Sequence, residues 1–111
     1  MLVDSHCHLQ DEEFDSDRAD VIRRTRDHGM TCIVVGNREE DSGWAVELAR
    51  DYDNLYAAVG LHPMFLQEEE FEPSVYERFL AHEKVVAIGE IGLDYYHLWA
   101  DTKEEETAVQ L

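Results

Sequence analysis

The sequence predicts an α/β fold in which four parallel strands alternate with helices, built either as an open sheet or as part of a (β/α)8 barrel. Three observations lead there. Short β-branched, apolar runs alternate with stretches of about ten residues at helical spacing. No hairpin turn signal joins one run to the next, so the strands connect through crossover helices and run parallel. The runs are nearly continuous in apolar character, as in Met30-Thr31-Cys32-Ile33-Val34-Val35, which is the pattern of strands covered on both faces.

The elements follow in order. Leu2 to Leu9 forms the first strand and an acidic loop follows it. A helix is expected from Asp17 to His28, with Phe14, Val21, Ile22 and Thr25 inward and Gly29 as its stop. Arg23, Arg24 and Arg26 read as a solvated face paired with nearby acids. Met30 to Val35 is the second strand, ended by Gly36-Asn37. A second helix is expected over Asp41 to Asp51, with Trp44, Ala45, Leu48 and Ala49 at helical spacing and Trp44 packed on the sheet. Leu55 to Val59 is the third strand and leads into Gly60-Leu61-His62-Pro63. A third helix should run from Pro73 to His82, with Val75, Tyr76, Phe79 and Leu80 as its apolar stripe. Val85 to Ile88 is the fourth strand, followed by Gly89 to Asp94. Thr102-Lys103-Glu104-Glu105 is a capping-box signature for a fourth helix, and no stop signal follows it, so the gene product is expected to continue past Leu111. Nothing after the first strand forms a G-x-G-x-x-G or P-loop turn, which weighs against a nucleotide-binding open sheet.

The 111 residues are enough for one small domain spanning 1–111, and 44% apolar content supports a core. No apolar run is long enough to cross a bilayer and the N-terminus shows no secretory pattern, so a cytoplasmic protein is expected. Cys7 and Cys32 read as small buried apolar residues rather than a disulfide or zinc pair. Nine Lys plus Arg face 26 Asp plus Glu, a net charge of −17. Such self-repulsion destabilises a compact state at low salt and is screened at high salt, so the composition suggests a halophile-type, salt-rich cytoplasm.

The reactive residues gather at one end of the strands. His6 and His8 leave the first strand on the same face, with Cys7 turned away. His62 follows the third strand, and Glu90 ends the fourth on the parity of Val86 and Ile88. Parallel α/β folds place functional groups at this C-terminal end. Two imidazoles and a carboxylate suit Zn²⁺, Mn²⁺ or another divalent ion, and a carboxylate can bridge two. Glu90 has a plainer alternative, a buried carboxylate bonded to the backbone. His62, before the rigid Pro63, suits contact with a phosphate or protonation of a leaving group.

Val3-Asp4-Ser5-His6-Cys7-His8-Leu9, Gly60-Leu61-His62-Pro63 and Ala87-Ile88-Gly89-Glu90-Ile91-Gly92-Leu93-Asp94-Tyr95 together resemble the TatD family of metal-dependent deoxyribonucleases, in order and spacing. The resemblance implies the N-terminal half of an amidohydrolase-like (β/α)8 TIM-type barrel. It implies one or two divalent ions (Zn, Mn or Mg), with His6 and His8 on one metal, Glu90 between two, and His62 in the substrate pocket. It also implies hydrolysis of phosphodiester bonds in DNA, trimmed from an end, with Glu90 and His62 as the catalytic pair. Family members carry two further histidines and an aspartate in a second half that has no counterpart here. His28 and His82 lie near helix C-termini and read as caps, and His97 reads as a non-ligand at the correct mouth. Two other readings keep the fold: an esterase or deacylase on another substrate, or an inactive half-barrel that assembles through its open edge.

Overall fold

The computed structural model describes residues 1–97 and 110. Strands β1 (Leu2–Cys7), β2 (Met30–Val35), β3 (Leu55–Val59) and β4 (Val85–Ile88) form one parallel sheet in the order β1-β2-β3-β4. Helices α1 (Arg18–Asp27), α2 (Glu39–Asp51) and α3 (Pro73–Leu80) connect them. The helix expected from Thr102 lies outside the described residues.

The alternation of side chains divides the sheet into a covered face and an open one. Cys32, Val34, Leu55 and Ala57 face the helices and pack with Ile22, Ala45 and Ala49 into the main core. Val59, Leu61 and Tyr76 form a second cluster under α3. On the other face Ser5, His6, Ile33, Val35, Ala58 and Ala87 line an open concavity of about 310 Å³. Leu2, Val3, Val86 and Ile88, all on the two edge strands, are exposed.

Local chemistry accounts for the boundaries. Gly29 stops α1 with φ +66°, a left-handed conformation that side chains with a Cβ rarely adopt. Arg23 pairs with Asp20 and Asp27 and Arg24 with Asp20 on their own helix, whereas Arg26, expected to do the same, makes no ion pair among the described residues. Helix α2 begins at Glu39, two residues before the expected Asp41. Asp41 is the third residue of the helix and caps it, its Oδ1 accepting from the N–H groups of Asn37 and Arg38 at 2.8 Å each. Helix α3 ends at Leu80 rather than His82. Phe14 packs inward, but from a 3-10 turn (Glu12–Phe14) ahead of α1.

Trp44 departs from expectation. It is 46% exposed and does not pack on the sheet. The contact face of α2 is made by Ser42, Ala45 and Ala49, each fully buried, and these small residues bring the helix close to the strands. Trp44 sits one residue before Ala45, rotated about 100° around the helix from that face. Cys7 and Cys32 are unbridged. Burial, helped by Cys32 and Asp4 nearby, pushes the Cys7 thiol up to about 12.

Candidate metal centre

The register of β1 aims His6. Asp4 pairs with Cys32 and Cys7 with Val34, so three steps along β1 match two along β2. The extra residue is a bulge. Ser5 and His6 both reach the open concavity before alternation resumes at Cys7. His8 follows the strand, and the His6 and His8 rings meet edge to face with centroids 5.0 Å apart.

His8 is held by its far nitrogen. Nδ1 lies 2.8 Å from the Val35 carbonyl, which only accepts, so Nδ1 carries the proton and Nε2 keeps its lone pair. Gln10 Nε2 donates to the same carbonyl at 2.8 Å. A ligating histidine is ordinarily oriented in this way.

Glu90 is aimed by loop backbone rather than by strand alternation. Ala87, not Val86, pairs with Ala58, because β4 has its own register shift. The expected parity of Glu90 with Val86 and Ile88 therefore does not position it. Instead Gly89 N–H donates to Val59 O at 2.9 Å and Glu90 N–H to Gly36 O at 2.8 Å. Gly60 permits this, since a Cβ there would stand 2.7 Å from the Gly89 carbonyl carbon.

The result is a convergence of three donors. His6 Nε2 is 3.5 Å and His8 Nε2 is 3.8 Å from Glu90 Oε2. One ligand atom from each of the three lies within 4.8 Å of the others. These separations are too long for hydrogen bonds. They suit groups around an ion, since ligands about 2.0–2.1 Å from a tetrahedral zinc are roughly 3.4 Å apart. Glu90 is about one-third exposed and, among the described residues, accepts no backbone hydrogen bond, unlike a buried structural carboxylate. Among the described residues no fourth His, Cys, Asp or Glu joins this group.

His62 stands beside it, 3.9 Å from Glu90 Oε1 and 4.0 Å from Asp94 Oδ2 through Nε2. Its Nδ1 accepts from Met64 N–H at 3.1 Å, at the start of the 3-10 turn Pro63–Phe65. A neutral ring bound in that way carries its proton on Nε2. His62 N–H in turn donates to Asn37 O at 2.7 Å, tying the loop to the end of β2.

Asp94 is a group the sequence reading left without a role. Its Oδ1 accepts from the N–H of Tyr96 and of His97, and its Oδ2 is 2.8 Å from His97 Nδ1. The His97 N–H, the His97 ring and the Tyr96 N–H hold the carboxyl at about 2. Gln110 clamps the main chain from both sides, accepting from Asp94 N–H at 2.7 Å and donating to Asp94 O at 2.8 Å. His97 is thus bound to Asp94 and lies outside the donor cluster. His28 caps α1 through Nδ1 at 2.8 Å from Arg24 O, whereas His82 Nδ1 accepts from Lys84 N–H in the following turn.

Half of a parallel barrel wall with a His, His, carboxylate cluster at its C-terminal mouth is the architecture of a metal-dependent hydrolase. The TatD related DNase family model matches residues 3–110, and the chain belongs to that family. It is 41% identical over 98 residues to the uncharacterized metal-dependent hydrolase YabD of Bacillus subtilis, covering 86% of this chain and 38% of YabD. It is 31% identical over 111 residues to the 3'-5' ssDNA/RNA exonuclease TatD of Shigella flexneri, covering 96% of this chain and 42% of that protein. The crystal structure of YjjV, a TatD homologue from Escherichia coli, superposes with a TM-score of 0.76 at 32% identity, covering 98% of this chain and 43% of YjjV. The chain therefore spans about two-fifths of the length of these relatives, and its four strands are the N-terminal half of a TIM-type barrel.

Proposed function

We propose that this chain carries the first part of the active centre of a TatD-type hydrolase acting on phosphodiester bonds in DNA from a strand end. The convergence of His6, His8 and Glu90 on one point supports this reading. The donor set fits a divalent ion: two imidazole nitrogens, one fixed in the ligating tautomer, and a carboxylate with a second oxygen available for a neighbouring ion. Such an ion, Zn, Mn or Mg, supplies a Lewis acid and a bound water of lowered pKa.

The remaining work falls to the chain's own groups. His62 presents Nε2–H toward the space beside Glu90, where a phosphate oxygen would accept it. With Nδ1 occupied by Met64 N–H, the ring has no second proton, so it acts as a hydrogen-bond donor rather than as the acid for the leaving group. Ionised Asp94, 4.0 Å from the same nitrogen, adds negative charge beside that N–H, while the bond from Met64 N–H to Nδ1 holds the ring. The Shigella relative's name supports a nucleic acid substrate.

The test is zinc and manganese titration by calorimetry, paired with digestion of end-labelled single-stranded DNA. Glu90→Ala should weaken metal binding by at least about a hundredfold and abolish any metal-dependent cleavage. Unchanged metal affinity in that variant defeats the assignment.

A further inference from the structure

A polar side chain lies inside the otherwise apolar contact between α2 and the sheet. Ser42 is fully buried on a helix face whose other members are Ala45 and Ala49. A buried hydroxyl is costly unless hydrogen-bonded, and within a helix it ordinarily bonds a carbonyl of the preceding turn. Ser42 reaches across to the end of β3 instead. Its Oγ donates to Gly60 O and accepts from Gly60 N–H, each at 3.3 Å. Among the described residues Gly60 N–H has no other acceptor.

Both glycines that touch Ser42 lead to the donor cluster. Gly60 lies so close to the Gly89–Glu90 segment that a Cβ there would stand 2.7 Å from Gly89 C. Gly36 lies so close to Ser42 that a Cβ there would stand 2.6 Å from Ser42 Cα. The Gly36 carbonyl accepts the Glu90 N–H at 2.8 Å, and the next carbonyl, that of Asn37, accepts the His62 N–H at 2.7 Å. Ser42 thus packs against the two main-chain segments that hold Glu90 and His62. Tyr76, 5% exposed on α3, adds a second hydroxyl, which donates to Gly60 O at 3.3 Å. A carbonyl oxygen has two lone pairs and can accept both donors.

Helix packing alone does not call for this hydroxyl, since alanine fills the same kind of contact at positions 45 and 49 with no polar group to satisfy. A hydroxyl that merely completed the bonding of Gly60 would affect stability and leave Glu90 in place. We propose that Ser42, seconded by Tyr76, is a positioning residue for Glu90. Its hydroxyl fixes Gly60, Gly60 sets the Gly89–Glu90 segment, and that segment carries the carboxylate to His6 and His8. The consequence for metal binding rests on the metal-centre reading, whereas the positioning of the Glu90 main chain does not.

The test compares Ser42→Ala with Ala49→Gly, which loosens the same helix face about 10 Å further along α2. Both should lower the melting midpoint, the first by leaving Gly60 N–H unpaired and the second through helix propensity. Amide hydrogen exchange then reads the metal-free protein. Ser42→Ala should speed exchange of the Glu90 N–H about tenfold beyond what its loss of global stability explains, and Ala49→Gly should not. In zinc calorimetry Ser42→Ala should bind about tenfold more weakly, and Ala49→Gly to within about twofold of the parent. Tyr76→Phe keeps the ring and removes the second hydroxyl; it should act in the same direction by about threefold, and it carries the test if Ser42→Ala does not fold. Where the parent binds zinc, unchanged Glu90 exchange or unchanged zinc affinity in Ser42→Ala overturns the proposal. A parent that binds no zinc defeats the metal reading instead, and the exchange comparison alone then decides whether Ser42 sets Glu90.

Discussion

Replacing Gly60 by Ala tests how the fold aims Glu90. A Cβ on residue 60 would sit 2.7 Å from Gly89 C and 2.9 Å from both Gly89 O and Glu90 O. All three are main-chain atoms, so no flexible side chain can retreat. Ordinary contact begins near 3.4 Å, and the end of β3 must therefore separate from the Gly89–Glu90 segment by about 0.7 Å. That motion strains the bonds from Gly89 N–H to Val59 O and from Glu90 N–H to Gly36 O. Overpacking of this kind costs about 1–3 kcal/mol, which for a domain this size lowers the melting midpoint by roughly 5–20 °C. The displacement also exceeds the tolerance of about 0.5 Å within which a ligand set works, so zinc affinity should fall about tenfold or more. Gly43→Ala is the control. There the added Cβ meets only the Phe79 ring, at 3.6 and 3.8 Å, inside a helix where Ala is favoured over Gly by about 0.5–1 kcal/mol. Circular dichroism melts and zinc calorimetry read both variants. A Gly60→Ala protein with an unchanged midpoint and unchanged zinc affinity refutes the claim that this close approach sets Glu90.

Three further outcomes follow from the same geometry. Arg38 holds the His62 loop through Glu69 at 3.1 Å, Glu68 at 3.3 Å and the Phe65 ring at 4.7 Å, so Arg38→Ala should cost about 1 kcal/mol and shift the His62 imidazole resonances, with zinc affinity unchanged. Asp94, held at about 2 against an ordinary 3.8, contributes stability that is fully present above the ordinary value and lost as pH falls through about 2; Asp94→Asn should be less stable at neutral pH, with a flatter acid limb in urea midpoints measured between pH 4 and 2. With 26 acidic residues against nine basic ones, the melting midpoint should rise between low and molar salt, and a salt-independent midpoint would dismiss the self-repulsion account.

The strands were legible because each is a contiguous apolar run, and β2, β3 and β4 fall where the pattern places them. The meeting of His6, His8 and Glu90, with His62 beside them, was legible because parallel strands deliver their C-terminal ends to one mouth. How they are aimed was not. Alternation gives His6 and His8 a shared face, but the bulge that sets the phase of β1 leaves no composition signal, and Glu90 is directed by backbone bonds across the sheet. Trp44 misled because helical spacing counts apolar residues without weighing size, and a close helix-to-sheet contact selects Ser42, Ala45 and Ala49 instead. Asp94 was visible within the Gly89-to-Tyr95 motif, yet only the fold brings its carboxylate to 4.0 Å from His62 Nε2.

The acidic surface and the proposed nucleic acid substrate are reconciled by where the charge lies. DNA affinity usually rests on Lys and Arg spread along phosphates, with counterion release as its main source. Here Arg38 is committed to Glu68 and Glu69, and the α1 arginines Arg23 and Arg24 are committed to acids of their own helix. Under the proposed function, a strand end at the mouth would meet the N–H of His62 and the field of the divalent ion that His6, His8 and Glu90 would hold. Attraction of that kind is short-ranged. It suits a terminus placed at one point better than a duplex laid along a face, and it persists in salt that would remove a diffuse basic footprint.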